Sequence, residues 1–136
     1  MAVTKLGTLT PSSTDTTEFT SIPGTYDDLM IIGSSKNIYT SSTAFSTYKI
    51  KMRMNNDSST NYSWGLWGND GSYAQVQAYK SFQIQGGYST TASHQSGWTG
   101  YGQWLSNSAI TEIDLVSAYL NYVSGTTITL YGISNS

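Results

Sequence analysis

The chain has 136 residues, a mass of 14.8 kDa, a net charge of −2 and only 10 % charged residues, well below the usual quarter. No cysteine is present, so disulfides and thiolate metal sites are excluded, and the sparse charge argues against nucleic-acid binding. No apolar run approaches the ~20 residues of a membrane helix, so membrane insertion is not expected, nor is a signal peptide.

Length alone predicts one domain, residues 1–136, with residues 1–17 as a candidate N-terminal arm. Those residues are rich in Thr and Ser, contain Pro11, and are expected to give a weak opening strand and then a loop. A short strand is predicted over Glu18 to Ile22, ending at Ile22-Pro23-Gly24, where proline presets φ for a turn. Asp27 to Gly33 is a continuous apolar run of strand length and is expected to be a central strand. After a polar loop at 34–43, Tyr48-Lys49-Ile50-Lys51-Met52-Arg53-Met54 alternates apolar and cationic side chains in strict register. On a strand, successive side chains point to opposite faces, so Tyr48, Ile50, Met52 and Met54 are expected to be buried. Lys49, Lys51 and Arg53 then face water.

Asn55-Asn56-Asp57 reads as a turn, and Asn61 to Trp67 as the returning strand of a hairpin, closed by Asn69-Asp70-Gly71. Residues 73–84 alternate again, with Ala74, Val76, Ala78, Phe82 and Ile84 on one face; a helix is the minority reading there. Residues 86–107 are rich in Gly, Ser and Thr and are expected to form a long surface loop carrying Trp98, Tyr101 and Trp104. Two closing strands follow, Ile110 to Val116 and Thr127 to Ile133. Seven or eight short strands separated by turns predict an all-β, antiparallel β-sandwich of jelly-roll type.

The chemistry-bearing residues are few. His94 is the sole histidine and lies in the flexible stretch, with no nucleophile-elbow motif around any serine. Glu112 and Asp114, two apart on a strand, share a face, but a solvated outer face explains them better than a glycosidase pair. Asn55-Asn56-Asp57 and Asn69-Asp70 offer oxygens yet lack the spacing of a calcium loop, and no phosphate-cradling loop occurs. The expectation is therefore no enzyme, no metal and no cofactor. Aromatics remain as the binding signal: Trp64, Trp67, Trp98, Tyr101 and Trp104 either cap the ends of the sandwich core or are candidates for subunit contacts, ahead of stacking on glycan rings.

Three stretches in order resemble a virion surface module of tailed bacteriophages, notably those of marine bacteria and cyanobacteria. They are Thr20-Ser21-Ile22-Pro23-Gly24-Thr25-Tyr26-Asp27-Asp28-Leu29; Met52-Arg53-Met54-Asn55-Asn56-Asp57 with Asn61-Tyr62-Ser63-Trp64; and Ala109-Ile110-Thr111-Glu112-Ile113 with Gly125-Thr126-Thr127-Ile128-Thr129-Leu130-Tyr131-Gly132-Ile133. The resemblance implies a structural virion protein, of the kind found at tail-fibre C-termini and as free-standing capsid proteins. It carries no catalytic motif. With no fibre shaft in the sequence, the expectation is a capsid decoration (cement) protein on the outer shell, a homo-oligomer in trimeric form, contacting the major capsid protein. The alternatives are a receptor-binding tail tip recognising host surface glycans and a non-viral carbohydrate-binding module.

Overall fold

The computed structural model describes residues 1–34, 50–66, 80–91, 94–117 and 121–135. Their regular structure is entirely β: β1 (Ala2–Leu9), β2 (Thr16–Phe19), β3 (Asp28–Ser34), β4 (Ile50–Met54), β5 (Tyr62–Leu66), β6 (Lys80–Thr91), β7 (His94–Trp104), β8 (Ile113–Ser117) and β9 (Thr127–Ser134). They pair antiparallel in three sheets of three, ordered β1-β9-β3, β2-β8-β4 and β5-β7-β6. The chain divides into two compact units, Met1–Asp57 with Ala109–Ser136, and Ser58–Ser108. Among the described residues no helix is long and apolar enough to cross a membrane.

In the first unit the sequence signal and the sheet agree most closely in β9. Its alternation buries Ile128, Leu130 and Gly132 and leaves Tyr131 and Ile133 half-buried. Full burial of an Ile or Leu side chain contributes roughly 2 kcal/mol. Phe19 of β2 lies beneath Gly7 of β1, where an added Cβ would meet its ring at 3.6 Å, and a larger residue would displace it. The core of this unit is drawn from two sheets: Phe19, Met54, Ile113 and Leu115 from one, Ile128 and Leu130 from the other.

Two expectations for this unit are corrected. The apolar run at 27–33 is not a central strand among the described residues; β9 holds the centre, and β3 flanks it with Met30 and Ile32 exposed. A continuous apolar run here reflects one face toward the core and one toward solvent, not burial on both. The alternating segment is a strand, but its burial is graded: Met54 is buried, Met52 half-buried and Ile50 45 % exposed. The register explains the gradient, since Met54 pairs Ile113 beside Phe19 whereas Ile50 pairs Ser117. Tyr48 and Lys49 lie outside the described residues.

In the second unit, the hairpin expected between 46–54 and 61–67 does not form. β4 pairs β8, and β5 pairs β7. Residues 86–107 are no surface loop: β6 and β7 form a long antiparallel ladder through Lys80↔Trp104, Ile84↔Gly100 and Thr91↔His94. Glycine and serine are poor strand formers, which is why the segment reads as a loop. The register sets Gly86 opposite Trp98 in this ladder and, between β5 and β7, Gly102 opposite Trp64 and Gly65 opposite Tyr101. Asn69-Asp70-Gly71, Trp67 and the alternation through Ala74, Val76 and Ala78 lie outside the described residues.

Candidate functional site

The turn after β4 organises the first unit. Asn55 and Asn56 take positive φ of 49° and 57°, and the Asp57 amide donates to the Met54 carbonyl at 2.9 Å. This is a type I′ pattern, which asparagine tolerates better than other non-glycine residues. The turn aims the Asn55 carboxamide at the approach to β8. Its Oδ1 accepts from the amides of Thr111 at 2.8 Å and Glu112 at 3.1 Å and from the Thr111 hydroxyl at 3.3 Å. Its Nδ2 donates to the Ala109 carbonyl at 2.7 Å, and the Asn55 amide donates to the Glu112 carbonyl at 2.9 Å. One side chain thus fixes residues 109–112.

The segment around Pro23 joins the same clasp. The Ile22 amide donates to the Thr111 carbonyl at 2.9 Å, and Gly24 approaches Ala109 so closely that a Cβ would come within 3.2 Å. Tyr26 lies across Gly132, where any Cβ would fall 2.5 Å from its ring, so only glycine fits in Leu130-Tyr131-Gly132-Ile133. The Asp27 amide donates to the Ile133 carbonyl, and the Asn135 amide donates to Asp27 Oδ2 at 2.7 Å. Parts of all three sequence stretches that carry the phage resemblance meet here.

Beside the clasp lies a carboxylate–arginine row on the face of β2-β8-β4 opposite Phe19, Ile113 and Met54. The register sets Asp114 between Glu18 and Arg53. Asp114 is only 1 % exposed, and Arg53 Nε donates to its Oδ2 at 2.7 Å. Carboxylate oxygens of Glu18, Glu112 and Asp114 all lie within 4.8 Å of one another. Partial burial, then the charges of Asp114 and Glu18 and a hydrogen bond with Asp114, push the Glu112 pKa up; Arg53 opposes them. Chemically the row can hold a shared proton between carboxyls, or offer oxygens to a divalent cation. The guanidinium already neutralises the most buried carboxylate, so a cation would compete with a short charge-assisted bond. Sequence reasoning paired Glu112 with Asp114 but missed Glu18, which only the β2–β8 register brings in.

Trp104 is 3 % exposed and belongs to the core. By register Trp64, Trp98 and Trp104 share one face of β5-β7-β6 and Tyr101 takes the other. Trp67 is outside the described residues. His94 opens β7 opposite Thr91 at the hairpin end.

Sequence reasoning also passed over Tyr122. It is fully buried, its hydroxyl donates to the Leu115 carbonyl at 3.3 Å, and burial pushes its pKa up to about 12. Its backbone bridges Thr14, with the Tyr122 amide donating to the Thr14 carbonyl at 2.6 Å and the Tyr122 carbonyl accepting from the Ser13 amide at 2.7 Å. Nothing in Leu120-Asn121-Tyr122-Val123 marks this residue as a keystone. Comparisons with protein-family models, curated proteins and solved structures give no match.

Proposed function

We propose that the chain is a structural protein of a bacteriophage virion, a capsid decoration protein on the exterior of the shell. The observation that carries the reading is the clasp: residues that give the sequence its phage resemblance join Ile22, Asn55, Ala109, Thr111 and Gly132 into one framework. They serve shape, as expected of a module kept for its architecture and carrying no catalytic centre. Within this proposal the two sheets of the first unit are the layers of a β-sandwich, with Phe19 under Gly7 as their contact. The protein acts without cofactor, in several copies, against the major capsid protein.

The tail-tip and carbohydrate-module alternatives rely on an aromatic stacking platform. Trp104 is buried and Tyr101 is on the opposite face from Trp64 and Trp98, which weakens that platform. Quantifying the protein against the major capsid protein in purified particles tests the proposal. Dozens to hundreds of copies per particle are expected; a few copies at the tail would overturn it in favour of the tip.

A further inference from the structure

The outward face of β1-β9-β3 is an unusual surface for so hydrophilic a chain. The register puts Val3, Ile133 and Asp28 in one row, Lys5, Tyr131 and Met30 in the next, and Thr8, Thr129 and Ile32 in a third. Val3 is 52 % exposed, Ile32 56 % and Met30 36 %, with Tyr131 and Ile133 half-buried between them. Thr8 and Thr129 satisfy each other across the ladder at 3.1 Å, so their hydroxyls make less demand on water. These are large apolar side chains on the two flanking strands, around the half-buried Tyr131 and Ile133 of the central one, and contiguous patches of this kind mark interaction surfaces. The only charges in the three rows are one cation on β1, Lys5, and one anion on β3, Asp28.

That distribution is self-complementary. A two-fold axis running along β9 in the plane of contact turns one face onto another and exchanges the flanking strands, so β1 of one copy covers β3 of the second. Lys5 then arrives one row from Asp28 of the other copy. Rows on one face are about 7 Å apart, within the reach of a lysine side chain. The Lys5–Asp28 ion pair therefore forms twice, as an isologous interface requires. Tyr131, Ile133 and Thr129 meet their own symmetry mates along the axis.

We infer that this face is a dimer interface, and that its occupant is a second copy of this chain. The arrangement is two-fold, in place of the three-fold one expected from the sequence. Three strands about 4.8 Å apart and three rows about 7 Å apart give a footprint of only some 300 Å² per copy. Stable complexes bury roughly 800 Å² per partner, so the dimer is weak and concentration-dependent. Arrayed on a surface that holds many copies, weak contacts of this kind act together.

Sedimentation velocity of the purified full chain from about 1 µM to 1 mM tests this without any virion, so its outcome is independent of the proposed function. The weight-average mass is expected to climb from 14.8 kDa toward twice that value. Ile32→Asp should hold it at the monomer value with unchanged circular dichroism. Lys5→Asp and Asp28→Lys should each weaken the dimer at least tenfold, and the Lys5→Asp/Asp28→Lys double exchange should restore it. A monomer throughout the range overturns the inference and leaves the face to a different partner. An oligomer indifferent to Ile32→Asp, or a double exchange that fails to rescue well-folded single variants, overturns it equally.

Discussion

Asn55 holds much of the first unit's turn in one side chain, because it combines a left-handed backbone with four side-chain hydrogen bonds. Two substitutions separate these contributions. Asn55→Gly keeps the backbone freedom and loses the bonds; Asn55→Ala loses the bonds and adds strain of about 1 kcal/mol. Each net hydrogen bond is worth about 1 kcal/mol, so chemical denaturation should show a loss of about 2–4 kcal/mol for Asn55→Gly and about 1 kcal/mol more for Asn55→Ala. Equal stability of wild type and Asn55→Gly would mean the clasp is ornamental. Tyr122 makes the second prediction at this scale. Its pKa is raised from 10.0 to about 12 by burial, so the folded state favours the neutral phenol. The unfolded chain ionises first, and the stabilisation, complete below pH 10, is lost as pH rises from 10 through 12. Two units correspond to roughly 2–3 kcal/mol. Stability measured from pH 9 to 12 should therefore fall for the wild type more steeply than for Tyr122→Phe. The variant should itself be about 1 kcal/mol less stable near neutrality, lacking the bond to the Leu115 carbonyl.

At the scale of elements, the carboxylate row shows which part of the sequence could be read and which could not. The alternation in 48–54 marked β4, and the spacing of Glu112 and Asp114 put both on one face. Neither pattern says which strand lies alongside, and pairing of β4 with β8 turns Arg53 from an expected solvent-facing cation into the partner of a buried carboxylate. The long β6–β7 ladder was hidden for a related reason: its glycine- and serine-rich strands carry weak local strand preference, and the register that pairs them is a tertiary property. Arg53→Met should cost about 3 kcal/mol, because it strands Asp114 at 1 % exposure without its counter-charge. Arg53→Met with Asp114→Leu should recover most of that loss, since a buried pair exchanged for apolar groups is often neutral. Glu112 moves in the opposite sense. Its raised pKa means that ionisation opposes folding: its favourable contribution is complete below about 4.5 and declines as pH rises through the raised value. Glu112→Gln is therefore expected to raise the melting temperature at pH 7 and to change nothing below pH 4, with the gain shrinking in high salt. A lower melting temperature at pH 7 would show that the Glu112 charge is satisfied by Arg53 after all.

For the whole molecule, the clasp has a topological consequence. The second unit, Ser58–Ser108, leaves the first after Asp57 and returns at Ala109. The two ends of the first unit that flank this excursion are held together, Asn55 Nδ2 donating to the Ala109 carbonyl at 2.7 Å and the Asn55 amide pairing with Glu112. Sheets β1-β9-β3 and β2-β8-β4 draw every strand from residues 1–57 and 109–136, so no described ladder of the first unit needs a strand from the second. Closely spaced ends and a self-contained ladder set are what allow one unit to be excised from another. Replacing residues 58–108 by a short Gly/Ser linker should give a chain whose native residues, Met1–Asp57 and Ala109–Ser136, retain antiparallel β circular dichroism and one cooperative melt. Because ordering a short linker costs little, the melting temperature should fall by no more than about 10 °C if the second unit contributes little to the core of the first. Loss of cooperative unfolding in the excised chain would show that the first unit requires the second to fold, and that the clasp is a seam within one cooperative body rather than the doorway of an insertion.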